Sequence, residues 1–141
     1  MAPHPSQGHT QAAELIGCIY YWGQGVAIDY PRAMAAYKIA AEAGNATSQH
    51  QVGIMYKLPG YGVAVDYQQA RAWLEKAAAQ DDPAAVEALG QLYYQGKGVI
   101  SSYRRARELY QRAIELGCTG AVEGMHNIDQ DIQEVRQLVH V

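Results

Sequence analysis

The sequence contains no phenylalanine, although it has 11 tyrosines and two tryptophans among 141 residues. Two cysteines are too few for a disulfide framework, and no C-x-x-C pair is present to hold a metal ion. Charged residues make up only 18% of the chain and hydrophobic residues 49%, a balance that excludes a wholly disordered protein. The net charge of −3 provides no general attraction for a nucleic-acid backbone.

Long apolar segments are also missing. The first ten residues carry two prolines and two histidines, without the apolar stretch of ~7–15 residues that a secretory signal requires. No window approaches the ~20 apolar residues that span a membrane. We therefore expect a cytoplasmic protein that does not enter a membrane, with a disordered tail over residues 1–10.

Glycine, by contrast, recurs at regular places. The motif Gly-x-Gly-Val occurs three times, at steps of 37 and 36 residues. Its second glycines are Gly25, Gly62 and Gly98. Another glycine precedes each motif at matching intervals: Gly17, Gly53 and Gly90. A period of roughly 20–50 residues is the signature of a repeat protein, in which each repeat is one supersecondary unit.

Each repeat predicts a pair of helices, A and B, joined by the glycine motif. In the first repeat we expect helix A from Ala12 to Trp22, because apolar residues recur there at helical spacing. Glycine ends helix A, and Asp29 is a suitable N-cap for a helix B that runs to about Ala43. The later helices are expected near residues 47–57, 67–80, 83–94, 103–116 and 121–139.

The isolated glycines lie inside the predicted A helices, where glycine costs ~1 kcal/mol relative to alanine. Because this cost recurs in every repeat, we infer that helix B comes close to the backbone of helix A there. The partial copy that follows has His126 in place of the glycine, which indicates that the array ends at this point.

One helix pair cannot bury its apolar face alone, whereas stacked pairs can. The sequence therefore predicts an all-α solenoid that forms one domain. We place this domain at residues 11–139, with repeats at about 12–47, 48–84 and 85–120 and a capping helix at about 121–139.

The residues that recur in the three repeats resemble the pattern of the Sel1-like repeat family, a relative of the tetratricopeptide repeat. The resemblance covers about residues 12–128. Ser102 and Asp81 depart from the family pattern by replacing an aspartate and a glycine at helix ends. The resemblance implies a right-handed α-solenoid of helix-turn-helix repeats that acts as a non-enzymatic scaffold or adaptor for protein partners, without a cofactor. The third repeat carries the match through Ala85, Leu89, Gly90, Tyr93, Gly96, Gly98, Val99, Ala106, Tyr110, Ala113 and Gly117.

An enzymatic alternative stays open, because some Sel1-like proteins are secreted, cysteine-rich and similar to β-lactamase-like or peptidoglycan-fragment-binding proteins. Those proteins carry a pair of cysteines in each repeat, whereas Cys18 and Cys118 are 100 residues apart and are expected to be free thiols. No serine begins an S-x-x-K motif, and no H-E-x-x-H motif is present. Neither a serine nucleophile nor a zinc site is therefore indicated.

The resemblance also implies where a partner would bind. In tetratricopeptide geometry the concave surface is made by helix-A positions outside the core. These positions hold our candidate residues: Glu14, Cys18, Tyr21, His50, Ile54, Lys57, Glu87, Gln91, Tyr94 and Glu123. The glutamates favour a ligand segment with basic residues. Tyr21 and Tyr94, which are equivalent positions, are either anchors for a partner or side chains that pack over the loops.

The predicted helices leave two further surfaces. The arginines of the last B helix are expected to form a solvated outer face: Arg104, Arg105, Arg107 and Arg112. The first predicted helix A has no helix before it in this sequence. Its exposed side could pair two copies as a homodimer, or could be covered by repeats of a longer array.

Overall fold

The computed structural model describes residues 7–139, and every regular element in this range is an α-helix. The predicted all-α class is therefore confirmed. The helices are α1 (Gln7–Trp22), α2 (Tyr30–Glu42), α3 (Ala46–Lys57), α4 (Tyr67–Ala78), α5 (Pro83–Gln95), α6 (Tyr103–Glu115) and α7 (Ala121–Val139).

The helices group into two compact units. Unit 1 extends to Gln80 and contains α1 to α4, and unit 2 begins at Asp81 and contains α5 to α7. In unit 1 the pairs α1–α2 and α3–α4 pack together, and α2 also packs on α3. In unit 2 α5 pairs with α6, while α7 packs mainly on α6 and partly on α5. A single domain across both units stays a prediction.

The first helix begins earlier than the sequence predicted. Residues 7–10 belong to α1, so the expected disordered tail is wrong for these four positions, while residues 1–6 lie outside the described part of the chain. The physical reason is that Pro5 is the last proline before α1. Every later residue of the segment therefore has a backbone N–H available for the helix.

Helix starts follow the predicted capping chemistry. The carboxylate of Asp29 accepts a hydrogen bond from the backbone N–H of Arg32 at 3.0 Å, which caps α2. Ser102, which departs from the family pattern, performs the same role for α6, because its Oγ accepts from the N–H of Arg105 at 3.1 Å. At the other departure, Asp81 takes the left-handed conformation that glycine normally provides, with φ of 61°.

The repeated glycines are contact points between helices A and B. A Cβ atom at Gly17 of α1 would lie 2.6 Å from the ring of Tyr37 on α2. A Cβ atom at Gly90 of α5 would lie 2.9 Å from the ring of Tyr110 on α6. Real Cβ atoms do not come this close to a ring, so only glycine fits beneath these tyrosines. The structure therefore confirms the inferred close approach.

The glycine of the last helix does not sit where the repeat alignment placed it. The sequence assigned this column to His126, but Gly124 is the residue against which Tyr110 packs, and a Cβ atom there would lie 2.6 Å from the ring. The reason is that α7 uses its glycine against helix B of the preceding pair, not against a helix B of its own. Tyr110 is thus held between Gly90 and Gly124.

Gly53 tests the packing constraint in unit 1. A Cβ atom at this position would lie 2.7 Å from Cγ of Leu74 and 3.3 Å from the backbone oxygen of Ala70. We predict that Gly53→Leu lowers the free energy of unfolding by roughly 1–3 kcal/mol through overpacking. Thermal unfolding measures this as a lower midpoint. Thr47→Leu, at an exposed position of the same helix, should leave the midpoint almost unchanged. An equal midpoint for Gly53→Leu and wild type would refute the close approach.

Candidate functional site

The predicted partner-binding residues of α1 are half-buried and hold internal contacts. The Glu14 carboxylate accepts a hydrogen bond at 3.0 Å from the amide Nδ2 of Asn45, the residue that caps α3. The thiol of Cys18 accepts a hydrogen bond from the hydroxyl of Tyr37 at 3.3 Å. Because burial and this bond raise the pKa of Tyr37, its phenol stays protonated and keeps donating to sulfur.

Tyr21 belongs to an aromatic cluster in unit 1. Its ring stacks on Tyr61 with centroids 5.7 Å apart, and its hydroxyl donates to the Tyr61 hydroxyl at 3.1 Å. Tyr30 and Trp22 meet the same ring edge to face. Tyr61 lies in the turn between α3 and α4, so Tyr21 packs over a loop, as one of the two sequence-based interpretations expected. A role of Tyr21 in partner binding stays a prediction.

The α3 candidates are the half-buried His50, Ile54 and Lys57. They lie on one helix of 12 residues, within two turns of each other. Their role in partner binding also stays a prediction.

Unit 2 brings four predicted residues together. Glu87, Gln91 and Tyr94 of α5 and Glu123 of α7 line one pocket with a volume of about 340 Å³. The remaining lining residues are Gln95, Tyr110, Gly120, Gly124 and Asn127. We call this site the α5–α7 pocket. Its helix-A residues were expected from the repeat register, whereas Gly120, Gly124 and Asn127 were missed. Gly120 and Asn127 lie 36 residues after Ala84 and Gln91, so the same register could have found these two.

The α5–α7 pocket is acidic, since two of its lining residues are glutamates and none is a lysine or arginine. The Glu87 carboxylate is held in place: its Oε2 accepts from the thiol of Cys118 at 2.6 Å, and its Oε1 accepts from the amide of Gln91 at 3.4 Å. Burial raises the pKa of the Cys118 thiol, and the hydrogen bond to Glu87 raises it further, so the thiol stays protonated and donates. Glu123 is exposed at the mouth.

Tyr94 is fixed at the rim of the pocket by a residue that the sequence did not single out. The hydroxyl of Tyr94 donates to Asp131 of α7 at 2.6 Å, and the hydroxyl of Tyr103 donates to the same carboxylate oxygen at 2.9 Å. The two rings stack with centroids 5.4 Å apart. This network ties α5, α6 and α7 together, so Tyr94 has a defined orientation before any partner binds.

Neither cysteine is part of a disulfide in the structure. Among residues 7–139, no group of three or more His, Cys, Asp or Glu side chains could hold a metal ion. None of the described helices is long and apolar enough to cross a membrane.

Helix pairs that recur along the chain and pack on their neighbours define the class of helical-repeat proteins. The Sel1 repeat family model matches residues 10–45, 46–82 and 83–118, which is well over half of the chain. The chain therefore belongs to the Sel1 repeat family. Each match starts two residues before the repeat bounds that the sequence predicted. Proteins of this family generally mediate protein–protein interactions.

Three solved structures are similar to this chain. A Sel1 repeat protein from Oxalobacter formigenes is 39% identical with a TM-score of 0.74, over 79% of this chain and 45% of that protein. The protective antigen c5321 of uropathogenic Escherichia coli is 37% identical with a TM-score of 0.77, over 82% of this chain and 24% of the antigen. Cysteine rich protein B of Helicobacter pylori, at 24% identity and a TM-score of 0.67, shares the fold.

Two curated relatives come from Arabidopsis thaliana. They are the ERAD-associated E3 ubiquitin-protein ligase components HRD3A and HRD3B, each 41% identical over 51 residues. The matched segment covers 36% of this chain and 8% of the length of either relative.

The shared carboxylate of Asp131 predicts a pH dependence. Its hydrogen bond raises the pKa of Tyr94 from 10.0 to about 12. The hydrogen bond that raises this pKa contributes its full stabilisation of the fold below pH 10.0. This contribution is lost as the pH rises through about 12. We predict that Asp131→Asn unfolds at a lower temperature than wild type at neutral pH, and that the difference shrinks across this alkaline window.

The matched control is Asp129→Asn, on the same helix. Asp129 pairs with Arg107, an exposed ion pair, and its removal should leave the alkaline dependence as in wild type. Unfolding midpoints measured against pH for the three proteins decide the point. A difference between Asp131→Asn and wild type that is constant with pH would show that the tyrosine bonds do not contribute as described.

Proposed function

We propose that this chain is a non-enzymatic scaffold or adaptor module, and that its α5–α7 pocket receives a basic side chain from a protein partner. The observation that carries the proposal is the convergence of Glu87, Gln91, Tyr94 and Glu123 on one pocket. These residues were selected only by their register on the predicted helices. The register places Glu87, Gln91 and Tyr94 on one face of α5, and the structure adds Glu123 of α7 to the same acidic cavity.

The chemistry of the lining favours lysine or arginine as the inserted residue. Glu87 is already oriented by the Cys118 thiol and the Gln91 amide, so it presents a carboxylate of defined position. Hydrogen bonds between a cationic donor and a carboxylate are about twice as strong as neutral ones. Glu123 adds a second carboxylate at the open side, where a flexible cation can reach it.

The aromatic residues add a rigid surface for the same ligand. Tyr110 is 3% exposed, and its ring packs between Gly90 and Gly124. Tyr94 is fixed by Asp131, so ordering it on binding costs little entropy. Tyrosine rings of this kind attract the apolar stem and the cationic head of a basic side chain.

The size of the pocket limits what it can hold. A volume of about 340 Å³ is near the lower end of the range for ligand pockets, roughly 300–1,000 Å³. It fits one side chain of a peptide segment, and the surface around it would contact the rest of that segment. The same helix-A register provides further candidate contacts in unit 1: Glu14, Cys18, Tyr21, His50, Ile54 and Lys57.

Similar proteins support an assembly role. HRD3A and HRD3B are components of a ubiquitin-protein ligase, although they are far longer than the matched segment. We extend to this chain only the idea that its repeats hold a protein partner. Nucleic acid, membranes and cofactors have no part in the proposal, and the cytoplasmic location stays an expectation.

The proposal predicts that one charge controls binding. Peptides that carry a single arginine or lysine at varied positions would be screened against the purified protein by fluorescence anisotropy. For the best binder, Glu123→Gln should weaken binding by on the order of 1–2 kcal/mol, about tenfold, because the exposed carboxylate contacts the cation directly.

The controls separate the pocket from general acidity. Glu42→Gln removes the same charge from an exposed position of α2 and should leave the affinity unchanged. Arg104→Ala on the outer face of α6 should also have little effect. If the arginine substitution is the costly one, or if Glu42→Gln weakens binding as much as Glu123→Gln, the α5–α7 pocket is not the binding site.

A further inference from the structure

The two buried tyrosines that pack on helix-A glycines differ at their hydroxyl groups. Tyr37 of α2 and Tyr110 of α6 are equivalent positions of the repeat, and they are 2% and 3% exposed. The hydroxyl of Tyr37 donates to the thiol of Cys18 at 3.3 Å. The hydroxyl of Tyr110 has no hydrogen-bond partner among residues 7–139. The equivalent hydroxyl is therefore satisfied in unit 1 and unsatisfied in unit 2.

The residue that stands in the place of Cys18 explains this difference. In the repeat register that pairs Tyr37 with Tyr110, the equivalent of Cys18 is Gln91 of α5. The side-chain amide of Gln91 donates to Oε1 of Glu87 at 3.4 Å. Buried hydroxyl groups are nearly always hydrogen-bonded, because burial without a partner is costly. An unpaired hydroxyl beside a pocket therefore indicates a partner from outside the chain.

The Tyr110 hydroxyl opens into the α5–α7 pocket. Tyr110 lines this pocket, and its hydroxyl is not one of the unpaired atoms that are sealed inside the described part of the chain. Burial raises the pKa of Tyr110 to about 12, and the nearby charge of Glu87 is the second cause. The pocket therefore presents a neutral phenol close to a carboxylate.

The carboxylate of Glu87 is uncovered on the side of the pocket that Gly120 lines. A Cβ atom at Gly120 would lie 3.1 Å from Oε2 and 3.4 Å from Oε1 of Glu87. Any other residue at this position would place its Cβ atom against both oxygens, so glycine keeps them accessible. Each oxygen already accepts one hydrogen bond, from Cys118 or Gln91, and retains a second lone pair for a ligand.

We propose that the Tyr110 hydroxyl and the Glu87 carboxylate together bind the guanidinium of an arginine, in preference to the ammonium of a lysine. This inference rests on the proposed function, in which the α5–α7 pocket receives a basic side chain. Two N–H groups of a guanidinium form a planar fork that matches both oxygens of a carboxylate. A further N–H group of the same plane donates to the Tyr110 hydroxyl. Lysine carries its donors on a single nitrogen and cannot form the fork.

The test compares two peptides that are identical except for arginine or lysine at one position, with binding measured by fluorescence anisotropy. Wild type should bind the arginine peptide about tenfold more tightly than the lysine peptide. Tyr110→Phe removes only the hydroxyl oxygen. This variant should bind the arginine peptide about tenfold more weakly than wild type does, because one guanidinium N–H loses its acceptor.

Tyr37→Phe is the matched control, since it removes the equivalent hydroxyl outside the pocket. Its affinity for both peptides should equal that of wild type. Thermal unfolding without peptide should separate the two variants further. Tyr37→Phe loses the hydrogen bond to Cys18, so its midpoint should fall. Tyr110→Phe loses an unpaired polar atom, so its midpoint should equal or exceed that of wild type.

Three results would overturn this proposal and leave the proposed function standing. Tyr110→Phe could bind the arginine peptide as tightly as wild type, which would mean that only water meets the hydroxyl. Wild type could bind both peptides equally, which would exclude selection of a guanidinium. The midpoint of Tyr110→Phe could fall as that of Tyr37→Phe does, which would mean that the hydroxyl is already paired. If wild type binds neither peptide, the proposed function itself fails, and this proposal fails with it.

Discussion

The contact between a helix-A glycine and the large side chain above it on helix B is the constraint on which the rest of the structure depends. Tyr37, Leu74 and Tyr110 occupy the space of the missing side chain in the three helix pairs, so the two helices of each pair approach closely at that point. The neighbouring helix-B positions must then be small, and Ala33, Ala40, Ala106 and Ala113 are all 0% exposed. A buried tyrosine hydroxyl needs a hydrogen-bond partner, and that of Tyr37 donates to the thiol of Cys18.

The same constraint shapes the α5–α7 pocket. Tyr110 lies between Gly90 and Gly124, so no side chain from either helix fills the space beside its ring. Gly90 also sets the register of α5, which turns Glu87, Gln91 and Tyr94 to the side that α7 faces. The pocket is therefore a consequence of how a ring is packed between two glycines, and its acidity comes from the residues that this register exposes.

Sequence reasoning predicted the features that repeat. Helix bounds agree within two residues for α3 to α7, because glycine motifs and capping residues mark the ends of these helices. It missed features that occur once. Gly124 and Asp131 belong to α7, where the repeat register has Ala88 and Gln95 at the equivalent positions of α5, so no repeated residue type marked them, and both act through contacts distant in sequence. Tyr21 illustrates the same limit, because its stacking on Tyr61 depends on a loop conformation that composition does not reveal.

The most direct test of the account is to map where a basic ligand touches the protein. Backbone and side-chain amide signals of the protein would be followed by NMR in two titrations. One adds a peptide with a single arginine, and the other adds the same peptide with glutamate in place of that arginine. The account predicts that only the arginine peptide causes chemical-shift changes, and that these changes are concentrated at Gln91, Gln95 and Asn127, which line the α5–α7 pocket. Shifts spread along the outer face of α6, or equal responses to both peptides, would contradict it.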